Sequence, residues 1–218
     1  MKNIIFIAPP AAGKGTQSKL VSDTYNIPHI STGDLLREEI AKGTPLGLTI
    51  KDDMEKGNLV SDEVITTLLR NRITKPDCQN GYILDGYPRN IKQAKIYRDL
   101  LQELNYDDGV VIFFDIDKDL ALKRTISRIV CPNCGASYNL LVEELKPLEG
   151  NICTRCHHEL KTRTDDTEEV FIHRFDTYMN STKELIDYYQ NLGLLHKISV
   201  EEKSANEIFE EVKKVLNY

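Results

Sequence analysis

Residues 3–17 of the chain read NIIFIAPPAAGKGTQ, and this stretch decides the fold. The apolar run from Ile4 to Ile7 is typical of a buried strand, because Pro and Gly follow it at once. The segment from about Gly15 can begin a helix. A strand, a tight loop and a helix that starts with Gly-Lys-Gly-Thr form the setting that a phosphate-binding loop needs. Free N–H groups at the helix start would face the anion, and Lys14 adds a mobile cation.

Two alanines depart from the usual pattern of such a loop. Ala8 and Ala11 stand at positions where glycine is common. If either backbone position were left-handed, alanine there would cost roughly 1–3 kcal/mol. A glycine-containing turn that merely closes a buried strand is the alternative interpretation of this stretch.

The composition of the 218 residues is that of a globular protein large enough for one full core. No apolar run approaches the ~20 residues of a membrane span, and the chain enters a strand directly after its first residues. We therefore expect a cytoplasmic protein without a signal peptide. The formal net charge of −6 argues against nucleic acid as the main partner.

Four of the five cysteines form two Cys-x-x-Cys pairs, at residues 131–134 and 153–156, with 18 residues between them. Two such pairs can bring four thiolates onto one tetrahedral Zn²⁺ in a reducing compartment. A coincidence of two reduced pairs is the alternative. His157 and His158 follow, but four sulfurs already complete a tetrahedral set, so we expect both histidines to be exposed. Cys78 is expected to be a free thiol without a role.

Apolar runs and helical periodicity alternate along the rest of the chain. Further strands are predicted near residues 27–30, 81–89, 109–115 and 194–200, and further helices near 35–40, 45–55, 61–73, 91–104, 118–128, 168–191 and 206–216. This alternation predicts a parallel sheet covered on both faces, with modules inserted near 31–60 and 129–166. Ligands bind at the carboxyl edge of such sheets, which makes Asp85 and Arg89 candidates.

Four segments together resemble the adenylate kinase family. They are GKGTQ at 13–17, STGDLLR at 31–37, LDGYPR at 84–89 and RTDD at 163–166, and the likeness extends over essentially the whole chain. The cysteine pairs match the bacterial form with a long, zinc-bearing lid. The resemblance implies an α/β nucleoside monophosphate kinase fold with a five-stranded parallel sheet and helices on both faces. It divides the chain into a core (1–30, 61–128 and 167–218), an AMP-binding module (31–60) and a lid (129–166).

The resemblance also implies a role for individual residues. Catalytic contacts to the phosphates would come from Lys14, Arg37, Arg89, Arg124, Arg163 and Arg174. ATP would be bound by Ala11, Ala12, Gly13, Lys14, Gly15, Thr16, Arg124, Arg128, Ser137, Tyr138 and Lys203. AMP would be bound by Thr32, Arg37, Asn58, Leu59, Val60, Gly86, Tyr87, Pro88, Arg89, Gln93, Arg163 and Arg174. A hydrated Mg²⁺ would be held by Asp34 and Asp85, and structural Zn²⁺ by Cys131, Cys134, Cys153 and Cys156.

The implied activity is ATP + AMP ⇌ 2 ADP, carried out by a monomer whose partners are ATP, AMP and ADP, with neither nucleic acid nor membrane. One alternative is a related kinase that uses another donor, such as GTP. The other is a zinc protein that binds nucleotide but has lost turnover through Ala8 and Ala11. Seven cationic residues at the family's positions count against the second alternative. Two departures affect details: His157 replaces a common glycine, which predicts a strained or differently shaped turn, and residues 200–203 match the family poorly.

Overall fold

The computed structural model describes residues 2–55, 60–163 and 166–217. Its strands are β1 (Lys2–Ile7), β2 (His29–Ser31), β3 (Gly81–Asp85), β4 (Val110–Asp115), β5 (Arg128–Val130), β6 (Ser137–Asn139) and β7 (Leu195–Ser199). Its helices are α1 (Lys14–Tyr25), α2 (Thr32–Ala41), α3 (Pro45–Glu55), α4 (Asp62–Ile73), α5 (Ile91–Glu103), α6 (Lys118–Ile126), α7 (Glu168–Asn191) and α8 (Ala205–Leu216).

Five strands form one parallel sheet, as the sequence predicts, and their order in the sheet is β2-β3-β1-β4-β7. The first strand lies at its centre, where Ile4 pairs with Ile83 on β3 and with Val110 on β4. From β1 the chain first builds β2 and β3 on one side of it, and then crosses to build β4 and β7 on the other side. The direction in which strands are added to the sheet therefore reverses at β1. In open parallel sheets, ligands bind beyond the carboxyl ends of the strands at such a reversal.

Alternate residues of the central strands supply two hydrophobic cores, one on each face of the sheet. Phe6 and Phe114 face α1 and α8, and their rings meet edge to face with centroids 5.1 Å apart. Ile5 and Val111 point the other way, into a cluster that contains Leu69 of α4. Burying one such side chain contributes about 1.5–3 kcal/mol. The two cores therefore fix the sheet, and with it the edge at which the phosphate loop lies.

A separate two-stranded antiparallel sheet joins β5 and β6, where Arg128 pairs with Asn139. The prediction of a helix over 118–128 is therefore wrong at its end: α6 stops at Ile126 because the chain turns into β5. The strand predicted over 81–89 ends at Asp85, and the helix predicted over 35–40 begins earlier, at Thr32, with Ser31 as its N-cap. The helical periodicity of residues 168–191 predicts Met179 on the apolar face, but its side chain in α7 is 48% exposed. None of the helices in the described ranges combines the length and the apolar character that a bilayer crossing requires.

Candidate active site

The loop after β1 ends in an anion-binding helix start. Gly13 is the N-cap of α1 with φ = 86°, and it offers no side chain to the first N–H groups of the helix. The first turn of α1, which the structure describes completely, also carries no acidic residue. The orphan N–H groups and the helix dipole therefore favour a bound anion, with Lys14 beside them.

Of the two unusual alanines in this loop, Ala11 adopts a left-handed backbone, with φ = 61°. Ala8 is not among the described non-glycine residues with positive φ, and it is buried with 5% of its surface exposed. The backbone strain that alanine suffers in a left-handed conformation is therefore present at Ala11 and not at Ala8. Its cost is about 1–2 kcal/mol.

A cavity of about 860 Å³ opens above this loop. All the residues that sequence analysis assigned to ATP line it: Ala11, Ala12, Gly13, Lys14, Gly15, Thr16, Arg124, Arg128, Ser137, Tyr138 and Lys203. The acceptor-side residues that line it are Gly86, Tyr87, Pro88, Arg89, Arg163 and Arg174, together with Asp85. We refer to this space as the cleft.

The arginines of the cleft differ in their burial and in the hydrogen bonds and ion pairs that they form within the protein. The Nε atom of Arg124 is buried and has no hydrogen-bond partner among the described residues, and burial lowers the pKa of Arg124. Arg128 is paired with the fully buried side chain of Asp166, to which its Nε donates at 2.8 Å. Arg163 is exposed to solvent. A guanidinium group whose Nε has no partner, as in Arg124, is suited to a phosphate oxygen.

Asp85, at the end of β3, faces two potential cations. Its Oδ1 lies 2.9 Å from Nζ of Lys14, and its Oδ2 lies 3.3 Å from Nε2 of His29. Burial by itself would raise the pKa of the Asp85 carboxyl, but hydrogen bonding to His29 and the charge of Lys14 bring that pKa below its usual value. The carboxylate is thus kept ionised at the edge of the cleft.

The residues expected around the acceptor base meet at the loop that follows β3. Thr32 donates from Oγ1 to the carbonyl of Gly86 at 3.2 Å, and Arg89 donates from Nε to the same carbonyl at 2.9 Å. The N–H of Arg89 donates to Oε1 of Gln93 at 2.8 Å. At its other end, the amide of Gln93 donates from Nε2 to Oδ1 of Asp62 at 2.9 Å. Asp62 lies in the first turn of α4, and no local signal in the sequence connects it with Gln93.

Four described residues that were predicted to bind AMP are not among those that line the cleft: Thr32, Arg37, Val60 and Gln93. Arg37 is exposed on α2 and paired with Asp34, which is also exposed and also not part of the described cleft lining. Asn58 and Leu59 lie outside the described residues.

The four predicted zinc ligands form one cluster, in which all four Sγ atoms lie within 4.8 Å of one another. The pair Cys131 and Cys156 is 3.3 Å apart, and the pair Cys134 and Cys153 is 3.5 Å apart. Zinc–sulfur bonds of about 2.3 Å in a tetrahedron need sulfurs separated by roughly 3.8 Å. The cluster therefore fits a four-coordinate, closed metal site.

The surroundings of the cysteines agree with two further expectations. Both histidines after the last cysteine are exposed, and His157 has a left-handed backbone with φ = 58°, so of the two outcomes expected there, a strained or a differently shaped turn, the structure has the strained one. Tyr138 links the cluster to the cleft, which sequence analysis did not predict. Its hydroxyl accepts from the N–H of Thr154 at 2.9 Å and lies 3.3 Å from Sγ of Cys153, while its side chain borders the cleft.

Comparison with known proteins matches the chain along nearly its whole length. The family model described as adenylate kinase covers residues 6–194. The adenylate kinase of Archaeoglobus fulgidus is 44% identical over 98% of this chain and 97% of its own. That of Clostridium tetani is 42% identical over 98% of both chains, and that of Methanosarcina barkeri is 44% identical over 98% of both. The matched region includes the phosphate loop, the cleft arginines and the cysteine cluster.

Proposed function

The chain belongs to the adenylate kinase family and catalyses ATP + AMP = 2 ADP, and we propose how its own residues divide that work. It is a nucleoside monophosphate kinase, so its substrates are ATP, AMP and ADP. The single observation that carries the residue assignments is the cleft, which brings the phosphate loop and arginines from distant parts of the chain around one space.

On the donor side, we propose that residues 11–16 wrap the ATP phosphates while Ser137, Tyr138 and Lys203 contact the adenosine. Arg124 and Arg128 reach the phosphates from beside the lid. The buried, unpartnered Nε of Arg124 supports its share of this role. Arg128 has to share or exchange its pairing with Asp166 to take part.

On the acceptor side, Thr32 and Gln93 contact the adenine of AMP, and residues 58–60 and 86–88 surround the nucleoside. Arg37, Arg89, Arg163 and Arg174 bind the phosphates. The convergence of Thr32, Arg89 and Gln93 on the loop after β3 supports this placement. For Arg37 the proposal requires that the guanidinium leave Asp34 when AMP is present.

Catalysis in this proposal is a matter of position and charge. Phosphoryl transfer needs little covalent chemistry from the protein, but it needs the two nucleotides in line and the charge on the moving group neutralised. Lys14 and the arginines at 37, 89, 124, 163 and 174 supply that charge. The lid of residues 129–166 and the module of residues 31–60 close over the core and exclude water, the competing acceptor.

Two metals complete the proposal. The four cysteines hold a structural Zn²⁺, which leaves no coordination position open for substrate. Mg²⁺, when bound with ATP, supplies positive charge to the phosphate oxygens. Asp85 is ionised and borders the cleft, which suits it to hold the water shell of that ion. Asp34 is assigned the same task and has to exchange its partner Arg37 to perform it.

We further propose that the enzyme acts as a cytoplasmic monomer that maintains the balance of adenine nucleotides. The proposal assigns it neither a nucleic-acid nor a membrane partner. Its formal net charge of −6 supports this, since a polyanion would be repelled.

A coupled assay with AMP, CMP, UMP and GMP as acceptors, and ATP and GTP as donors, tests the assignment. We expect AMP to exceed GMP and UMP by at least ~10²-fold in kcat/KM, because a site that hydrogen-bonds one base leaves groups unpaired with another. Equal use of GMP or UMP would contradict the acceptor site. A preference for GTP would favour the related kinase, and binding without turnover would favour a nucleotide-binding zinc protein.

A further inference from the structure

Both ends of the Gln93 side-chain amide are hydrogen-bonded, one to a group that can only donate and the other to a group that can only accept. Its Oε1 accepts from the backbone N–H of Arg89, which can only donate. Its Nε2 donates to a carboxylate oxygen of Asp62, which in its ionised form can only accept. These two partners therefore fix the side-chain amide of Gln93 in one of its two possible orientations, with Oε1 towards Arg89 and Nε2 towards Asp62. With 7% of its surface exposed, Gln93 has little freedom to escape this arrangement.

Asp62 is itself fixed in the accepting state. Its second oxygen, Oδ2, lies 2.7 Å from Nζ of Lys92. The hydrogen bond from Lys92, and after it the one from Gln93, lowers the pKa of the Asp62 carboxyl. An ionised carboxylate has no proton to offer, so a flipped Gln93 would place two acceptors against each other at this end. At the other end it would place two donors against each other.

From this geometry we propose that Asp62 is a positioning residue that makes the acceptor site select 6-amino over 6-oxo purine monophosphates. The inference rests on the proposed placement of the acceptor base beside Gln93. Oε1 retains a second lone pair and Nε2 a second N–H. Adenine offers an amino donor at position 6 and an acceptor at N1, which match them. Hypoxanthine offers an oxo acceptor at position 6 and a donor at N1–H, and it would need the flipped amide that Asp62 opposes.

AMP and IMP are the most direct pair of probes, because their bases differ only at position 6 and N1, the edge that Gln93 would contact. The test measures kcat/KM for both acceptors in the wild-type enzyme and in Asp62→Asn. An asparagine has the same size but presents both a carbonyl and an NH₂ group, so residue 62 no longer opposes the flipped amide and only the N–H of Arg89 still does. We expect the AMP/IMP ratio to fall by about tenfold, chiefly through the KM for IMP. Asp62→Ala is the second variant, with the same expected fall.

Lys92→Met is the matched control. It removes the ion pair with Asp62 but leaves the hydrogen bond between Asp62 and Gln93, so the AMP/IMP ratio should stay within about twofold of wild type. A purely structural role of Asp62 would reduce turnover of both acceptors alike and leave their ratio unchanged. In a Gln93→Leu background, Asp62→Asn should no longer alter the ratio, because the group that it positions is gone.

An AMP/IMP ratio in Asp62→Asn within twofold of wild type, in a protein that melts as one folded unit, would overturn the inference while leaving the proposed function intact. A fall of similar size in Lys92→Met would overturn it too, because the ion pair and not the orientation of the amide would then be responsible. If the wild-type enzyme used IMP as well as AMP, the acceptor site itself would be misassigned and both proposals would fail.

Discussion

The Nζ atom of Lys14 lies 2.9 Å from Oδ1 of Asp85, so the cation of the phosphate loop is paired with the acid at the end of β3. Both side chains border the cleft, and both have proposed partners in the bound substrates: phosphate for Lys14 and hydrated Mg²⁺ for Asp85. The ion pair thus holds together, across the sheet edge, the two groups that the Mg–ATP complex would separate. It keeps each charge compensated until that complex arrives.

The depressed pKa of Asp85 predicts a pH dependence of stability. A carboxyl whose pKa is lower in the folded protein contributes stability above its unfolded pKa of about 3.9, and this contribution is lost as the pH falls through the folded value. Asp85→Asn lacks the contribution at every pH. We therefore expect the difference in free energy of unfolding between the nucleotide-free wild type and this variant to shrink as the pH falls below about 4. Denaturant titrations at each pH measure it, and a difference that did not shrink on acidification below this value would contradict the ion pairing of Asp85.

Arg89→Ala should lower kcat by roughly 10²-fold or more, because in the proposed function its guanidinium acts on phosphate charge in the transition state. The side chain of Arg89 is exposed in the cleft and anchored from Nε to the carbonyl of Gly86. Circular dichroism should show an unchanged fold. Arg70→Ala is the control: it removes a half-buried arginine paired with Glu103, outside the cleft lining, and should leave kcat unchanged. Full activity of the Arg89 variant would show that its assignment is wrong.

Replacing each unusual alanine of the phosphate loop by glycine should separate strain from function. Ala11→Gly relieves a left-handed backbone and should stabilise the protein by about 1 kcal/mol, or raise Tm by about 2–4 °C. Ala8→Gly, at a position without positive φ, should give no such gain. Both variants should change kcat/KM by less than about tenfold, since Gly13 and Gly15 remain beside the phosphates. A hundredfold gain in either would favour the nucleotide-binding zinc protein that has lost turnover.

The cysteine cluster predicts one zinc per chain that stabilises the lid without taking part in catalysis. Metal removal, or Cys153→Ser, should lower the melting temperature, because a module this small needs the metal for its folding energy. Below that temperature the stripped enzyme should keep a substantial fraction of its activity. Metal analysis and thermal melts beside the kinase assay measure both effects. Complete loss of turnover on chelation, with the lid still folded, would show a catalytic metal.

Thiol counting provides the control for the same experiment. Cys78 is 2% exposed, and burial raises the pKa of its thiol to about 11. At pH 8 it should therefore stay unreactive while four thiols react after chelation, and the fifth should appear only on unfolding. Cys78→Ser should retain the full zinc content. Five fast thiols in the chelated protein would mean that metal loss unfolds the core as well.

Most of the helices and strands were predicted from patterns among residues that are close together in the sequence. A serine before two acids marks the start of α4, and Ser61 does accept from the N–H of Val64 there. Periodicity predicted α7 with its observed bounds. Local patterns failed where the chain changes structure without a breaker residue, as at the end of α6, where no Gly or Pro separates the helix from β5.

The sequence by itself determined the alternating order of strands and helices, the phosphate loop and the four cysteines, because spacing along the chain is enough to specify each of them. Only the tertiary structure decided that Lys14 pairs with Asp85, that Asp62 holds the amide of Gln93, and that Ala11 is strained. Those relationships depend on which strands become neighbours and how their connecting loops then meet. That arrangement follows from burying both faces of the sheet at once, which no local stretch of sequence encodes.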